Sequence, residues 1–104
     1  MSVMNNPRLW KIWGIAEANL KDARRYLIEA ATGSDAGELT LTQFDEYLAH
    51  NELGLAIEEI AGIAEEFDCK AAFWKRLEAA AEVMELQGAA SIYRERFDAA
   101  IRSQ

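Results

Sequence analysis

A regular seam of apolar residues over the first third of the chain is the feature that most constrains its fold. Apolar side chains recur there at alternating steps of four and three, at Leu9, Trp13, Ala16, Leu20, Ala23, Leu27 and Ala30. This spacing places them on one side of an α-helix and is typical of a helix that packs against other helices. Asn6-Pro7 predicts the start of this helix, because proline suits the first helical position. Thr32-Gly33 predicts its end.

Other large apolar residues of the same helix lie beside the seam. They are Trp10, Ile12, Ile15, Tyr26 and Ile28. They predict that neighbours contact the helix on more than one side. Trp10 and Trp13 could stack on a ligand, but aromatic residues at this spacing are far more often part of a core. We therefore expect both indoles to be core residues.

Composition extends the helical prediction to the whole chain. The 104 residues include nineteen alanines and one proline, and strand-type alternation is nearly absent. We predict an all-α fold, in which residues 1–104 form a single compact bundle of four to five helices.

The segment after the first helix predicts a connector and a short second helix. Residues 33–38 are rich in turn formers and read as a loop. Either Thr40 with Gln43 or Thr42 with Asp45 would then cap the second helix. Its buried face would consist of Leu41, Phe44, Tyr47 and Leu48.

Three further helices complete the prediction. The third runs from about Asn51, its N-cap, to Phe67. Asp68 caps the fourth, and Gly88 lies just past its end. Its apolar stripe is Phe73, Trp74, Leu77, Ala80, Ala81 and Met84. The fifth covers about residues 89–102 and turns four side chains inward: Tyr93, Phe97, Ala100 and Ile101.

The predicted third helix has one apolar and one acidic side. The apolar side holds Leu53, Ala56, Ile57, Ile60, Ile63, Ala64 and Phe67. Two rows of glutamate follow the other side, with Glu52, Glu59 and Glu66 in one row and Glu58 and Glu65 in the next. Leu55 and Gly62 lie between the rows. This side is either a solvated surface, with Leu55 against a neighbouring helix, or a surface that binds a partner.

The charge distribution favours a partner. No Lys or Arg occurs from Tyr26 through Cys69, where eleven acidic residues lie, and the chain has a net charge of −7. Such a field raises the encounter rate with a basic protein. It argues against direct binding of nucleic acid or of an anionic membrane, since both need a basic surface.

Residues able to support catalysis are scarce. His50 is the only histidine, and Cys69 lacks a histidine partner, so we predict no enzyme activity, no metal site and no cofactor. A single cysteine fits a reducing compartment. Lys11 and Glu17 interrupt the apolar N-terminal segment, so we expect no signal peptide and a cytoplasmic protein.

The segment from about Leu41 to Leu86 carries a resemblance. Its first part contains Glu46-Tyr47-Leu48, His50-Asn51-Glu52-Leu53, Leu55-Ala56 and Glu58-Glu59. Its second part contains Phe73-Trp74, Leu77 and Ala80-Ala81. Together they resemble the small all-helical immunity proteins of bacterial polymorphic-toxin and contact-dependent inhibition systems, including the Maf-type group. The resemblance implies a non-catalytic protein that binds and neutralises a cognate toxin domain.

These observations define one predicted partner-binding surface. Its residues are Asp45, Glu46, Tyr47, His50, Asn51, Glu52, Leu55, Glu58, Glu59, Gly62, Glu65 and Glu66. The expected partner is a basic toxin domain, with a nuclease as one candidate. A monomer is the expected state and a homodimer the alternative. The alternative function is a helical adaptor or scaffold that binds a peptide or another partner protein.

Overall fold

Five α-helices make up most of the part of the chain that the structure describes. The structure is a computed structural model that describes residues 7–32 and 39–103. The helices are α1 (Pro7–Thr32), α2 (Thr42–Ala49), α3 (Leu53–Ala64), α4 (Ala71–Val83) and α5 (Gln87–Arg102). No strand occurs in these residues, so the all-α prediction is confirmed. The predicted loop at 33–38 and the roles of Asn6 and Gly33 lie outside the described residues.

Helix α4 is the centre of the bundle, because α1 and α5 both pack extensively against it. Helix α3 packs against α2, α1 and α4. The bundle measures 50 × 27 × 17 Å along its principal axes. The seam of α1 supplies buried Leu20 and Leu27, and α4 supplies Phe73 and Leu77. Alanines between these large residues are also fully buried, at Ala16, Ala23, Ala80 and Ala81. Such small side chains let the helix axes approach closely.

The turn between α2 and α3 contains one residue in the left-handed backbone conformation. Asn51 has φ 56°, a conformation that asparagine tolerates better than most residues. Its N–H donates to the carbonyl of Leu48 at 3.1 Å, and the N–H of Glu52 donates to that of Tyr47 at 2.8 Å. This pair of bonds is a Schellman motif that ends α2. The prediction of Asn51 as N-cap of α3 is therefore wrong, since its conformation serves the preceding helix.

The turn between α4 and α5 uses the same motif with a less suitable residue. Glu85 has φ 61°, and the N–H of Leu86 donates to the carbonyl of Ala81 at 2.8 Å. Gly88, predicted to follow the end of α4, lies instead in the first turn of α5. The sequence signal failed here because a glutamate occupies the position that glycine usually takes.

The predicted side-chain caps are also absent. Leu41 is the N-cap of α2 and Lys70 that of α4, and neither makes a side-chain capping bond. The threonine pairs and Asp68 therefore do not cap these helices. Helix α3 ends at Ala64 instead of Phe67, with tighter turns after it.

Two predicted core residues are exposed. Trp10 is 57% exposed and Ile101 is 48% exposed. None of residues 7–15 is fully buried, because the N-terminal part of α1 lies at the edge of the packed region. Ile15 and Ile28 are exposed as well, so the prediction that neighbours cover α1 on more than one side fails at these positions.

Candidate functional site

Helix α3 buries one side and exposes the other. Leu53, Ala56, Ile57, Ile60 and Ala64 are buried. On the opposite side Leu55, Glu58 and Gly62 are exposed, and Glu59 is half-buried. The helix is therefore covered on its apolar side and open on its acidic side. This confirms the predicted sidedness of the helix.

Leu55 and Gly62 leave the middle of the acidic side open. Leu55 is 45% exposed, which excludes a position sandwiched between two helices. A Cβ placed on Gly62 would meet nothing within 4 Å. The sequence left open whether Leu55 is exposed or packed, and the structure answers that it is exposed. An exposed leucine on an open helix surface can pack against an apolar group of a partner.

Two acids of the predicted surface are neutralised by cations from distant helices. Arg24 on α1 donates two hydrogen bonds of 2.8 Å to the carboxylate of Asp45. This contact raises the pKa of Arg24. Arg96 on α5 donates a 2.7 Å hydrogen bond to Glu65. The negative charge of the segment from Tyr26 to Cys69 is thus partly neutralised by cations from outside it. Asp45 and Glu65 are less available to a partner than the sequence suggested.

The other acids of the surface keep their charge uncompensated. Within the described part of the chain, no cation lies within 4.0 Å of the carboxylates of these acids. They are Glu46, Glu52, Glu58, Glu59 and Glu66. Burial raises the pKa of Tyr93 on α5, and the charge of Glu58 raises it further. Glu58 is therefore close enough to α5 for its charge to act on a side chain of that helix.

The remaining predicted residues lie on α2 and its turn. Tyr47 is half-buried against the core, while His50 and Asn51 are exposed. His50 occupies the C-cap of α2 and donates its backbone N–H to the carbonyl of Glu46 at 3.1 Å. These residues continue the surface from the start of α3 along α2, and Tyr47 is the least accessible of the three.

Sequence reasoning missed Arg24 and Arg96. They lie 21 and 31 positions from the acids that they bind. No local spacing could have paired them, because only the packing of α1 and α5 brings these cations to α2 and α3.

Cys69 is buried beside the end of α3. Burial raises the pKa of its thiol to about 11, and the charges of Asp68 and Glu65 act in the same direction. The reactive thiolate is therefore scarce at neutral pH.

No three His, Cys, Asp or Glu side chains in residues 7–32 and 39–103 are placed to hold a metal ion together. None of the helices in these ranges has the length and apolar character needed to cross a membrane.

Comparison with known proteins finds no matching family model, no matching curated protein and no matching solved structure. The likeness to bacterial immunity proteins therefore stays a prediction based on the residues quoted above.

Proposed function

We propose that this chain is a non-catalytic immunity protein that binds and neutralises a cognate bacterial toxin domain. One observation carries the proposal. The acidic side of α3 is open, and exposed Leu55 lies on it among glutamates of which only Glu65 pairs with a cation within residues 7–32 and 39–103. A helix that served only the fold would gain from Glu–Lys pairs one turn apart, and α3 contains no Lys or Arg.

The two components of this surface would act at different stages of binding. The uncompensated glutamates Glu58, Glu59 and Glu66 would attract a basic domain and raise the association rate. Leu55 would then pack against the partner and slow dissociation, since buried apolar contacts dominate the energy of most interfaces. Inhibition would be steric and electrostatic occlusion by a stoichiometric complex.

The partner that fits is a folded basic domain. An acidic surface can occupy the site where a nuclease binds its nucleic acid, so a nuclease toxin is one candidate. Such a protein would act in the cytoplasm, where it would meet the toxin on entry. We propose a monomer as the state of this chain, with a homodimer as the alternative.

The experiment starts from the gene next to the one that encodes this chain. If that gene encodes a large secreted protein, its C-terminal domain is expressed alone and together with this chain. Growth arrest by the domain alone, relieved by co-expression, is the expected result. Purified mixtures should then form a complex of defined stoichiometry. A toxic domain that this chain neither binds nor relieves would contradict the proposal.

If the chain is an adaptor, titrations against the same purified protein should give a different result. An adaptor would bind an isolated amphipathic helical peptide more tightly than a folded basic domain. An immunity protein would show the reverse preference, because its acidic surface needs the charge of the folded partner. Titration of both ligands against one preparation therefore separates the two functions.

A further inference from the structure

A groove next to the acidic surface has no role in the proposal above. It lies between the N-terminal half of α1 and the turn that joins α2 to α3, and its volume is about 290 Å³. It is lined by Trp10, Trp13, Gly14, Glu17 and Asn51. The four α1 residues lie at positions i, i+3, i+4 and i+7, so they share one side of the helix.

The two indoles of the groove are partly accessible, although Trp13 also packs against the core. Trp10 is 57% exposed and Trp13 is half-buried. Within the described ranges, neither indole stacks on another ring or lies beneath a cation. Trp74 differs, because it packs against Phe73 and lies below the guanidinium of Arg96 at 5.9 Å.

The opposite wall and the floor of the groove are well defined. Asn51 is held at the end of α2 by the backbone hydrogen bonds of the Schellman motif, which fix its conformation. A Cβ on Gly14 would meet nothing within 4 Å, so the space above this glycine is open. A side chain at position 14 would occupy the groove.

The groove also has a negative end. The carboxylate of Glu17 lies 3.6 Å from the ammonium of Lys21, in an exposed pair one turn apart on α1. Pairs of this kind are weak and exchange readily with other cations. Two indole rings and one replaceable carboxylate thus line the groove, and groups of these kinds bind organic cations.

We propose that this groove receives an arginine side chain from the protein partner. A guanidinium is planar, stacks on indole rings and donates two hydrogen bonds to one carboxylate, whereas a lysine ammonium does neither stacking nor bidentate bonding. An apolar side chain would take the Glu17–Lys21 pair out of water without adding a hydrogen bond to the carboxylate. The assignment of this arginine to a toxin domain rests on the proposed function. Asn51 lines the groove and lies between His50 and Glu52 in the sequence, so the groove adjoins the acidic surface.

The direct test uses the isolated chain and no toxin. The probe is N-acetyl-arginine methylamide, titrated to millimolar concentrations while the indole N–H signals of Trp10, Trp13 and Trp74 are followed by NMR. We expect saturable shifts at Trp10 and Trp13 and none at buried Trp74. The matched neutral probe, N-acetyl-citrulline methylamide, should leave all three signals unchanged. Equal shifts with both probes, or shifts that never saturate, would overturn the proposal.

Substitutions connect the shifts to the groove. Glu17→Gln should weaken arginine binding about fivefold or more, because the carboxylate is lost while the indoles remain. Trp10→Ala should abolish the shift at Trp13, whereas Ile15→Ala on another side of α1 should preserve it. Unchanged arginine affinity in both groove variants would also overturn the proposal. Intact signals from Trp74 show in each case that the fold is retained.

A second arm separates this inference from the proposed function. If a toxin complex forms, Trp10→Ala should weaken it about tenfold, while Ile28→Ala, at another exposed apolar position of α1, should not. A complex indifferent to Trp10→Ala would refute the groove as a partner site and leave the function intact. If no toxin binds, the arginine titration still decides whether the groove accepts a guanidinium.

Discussion

Glu78 on α4 and Glu58 on α3 are the same residue type in opposite settings. Within residues 7–32 and 39–103, Glu78 is the one charged residue that is buried, at 2% exposure. It accepts a 2.7 Å hydrogen bond from Arg94, and the ammonium of Lys75 lies 3.8 Å away. Glu58 is exposed and has no such partner among the same residues. The chain neutralises the carboxylate that it buries and leaves an exposed one on α3 unbalanced.

This difference separates residues that stabilise the fold from residues that are free to bind. Burying an unpaired charge costs several kcal/mol, so Arg94 and Lys75 are needed where they lie. Unpaired charges at the surface cost little in water. The same contrast exists within α3, where Ile60 is fully buried and Leu55 is 45% exposed.

The largest effect is expected on the buried side of α3. Ile60→Ala should lower the free energy of unfolding by about 2–5 kcal/mol, because it leaves a cavity in a packed core. Urea unfolding followed by circular dichroism measures this loss. A loss below about 1 kcal/mol would mean that α3 is only loosely attached to α1 and α4, which would weaken the contrast between its two sides.

The exposed side should respond in the opposite way. Leu55→Ala should change the free energy of unfolding by no more than about 0.5 kcal/mol, as exposed substitutions usually do. It should nevertheless weaken binding to the partner by about 1–3 kcal/mol. Ile15→Ala on α1 is a matched control, since Ile15 is 43% exposed and lies outside the acidic surface. A loss of folding stability with unchanged partner affinity would mean that Leu55 is a core residue.

A smaller effect is expected from the uncompensated charges. Replacement of Glu58, Glu59 and Glu66 with glutamine should slow association with the partner about fivefold to tenfold at low ionic strength. The difference should shrink at physiological salt, where screening acts over about 8 Å. Glu65 is left unchanged because it binds Arg96. Stopped-flow mixing at several salt concentrations measures these rates.

A control with the same change in net charge decides whether position matters. Glu29, Glu95 and Asp98 are exposed acids on α1 and α5. Their replacement with the corresponding amides also removes three negative charges. If both triple variants slowed association equally, the effect would come from total charge, and the α3 surface would have no special role.

Local periodicity accounts for what the sequence predicted well. The seam of α1 gave a helix from Pro7 to Thr32, and the 100° spacing of α3 separated Ile60 from Leu55 correctly. Both are properties of a single helix. Trp10 was misjudged because its burial depends on whether another helix reaches the end of α1, which spacing along α1 cannot reveal.

The turns and the ion pairs show the same limit. Glu85 adopts φ 61° although glutamate has no preference for that region, because the packing of α5 against α4 requires a tight turn. Arg24 and Arg96 bind acids far away in the sequence. The sequence therefore predicted which side of α3 is acidic, but the structure was needed to identify which acids are already neutralised.

The last expected effect is that of Glu78, and it depends on pH. Burial alone would raise the pKa of Glu78, but the hydrogen bond from Arg94 and the charge of Lys75 outweigh it and hold the pKa below its usual range. A carboxylate with a lowered pKa stabilises the folded state above the ordinary glutamate pKa of about 4.3. That contribution is lost as the pH falls through the lower folded value.

Glu78→Gln should therefore reduce stability at neutral pH and flatten the loss of stability in acid. Glu95→Gln, at an exposed position of α5, should keep the wild-type slope. Melting temperatures from neutral pH down to the acid limit measure both variants. An acid slope for Glu78→Gln as steep as that of the wild type would show that this carboxylate is not held by its cations, and the contrast with Glu58 would fail.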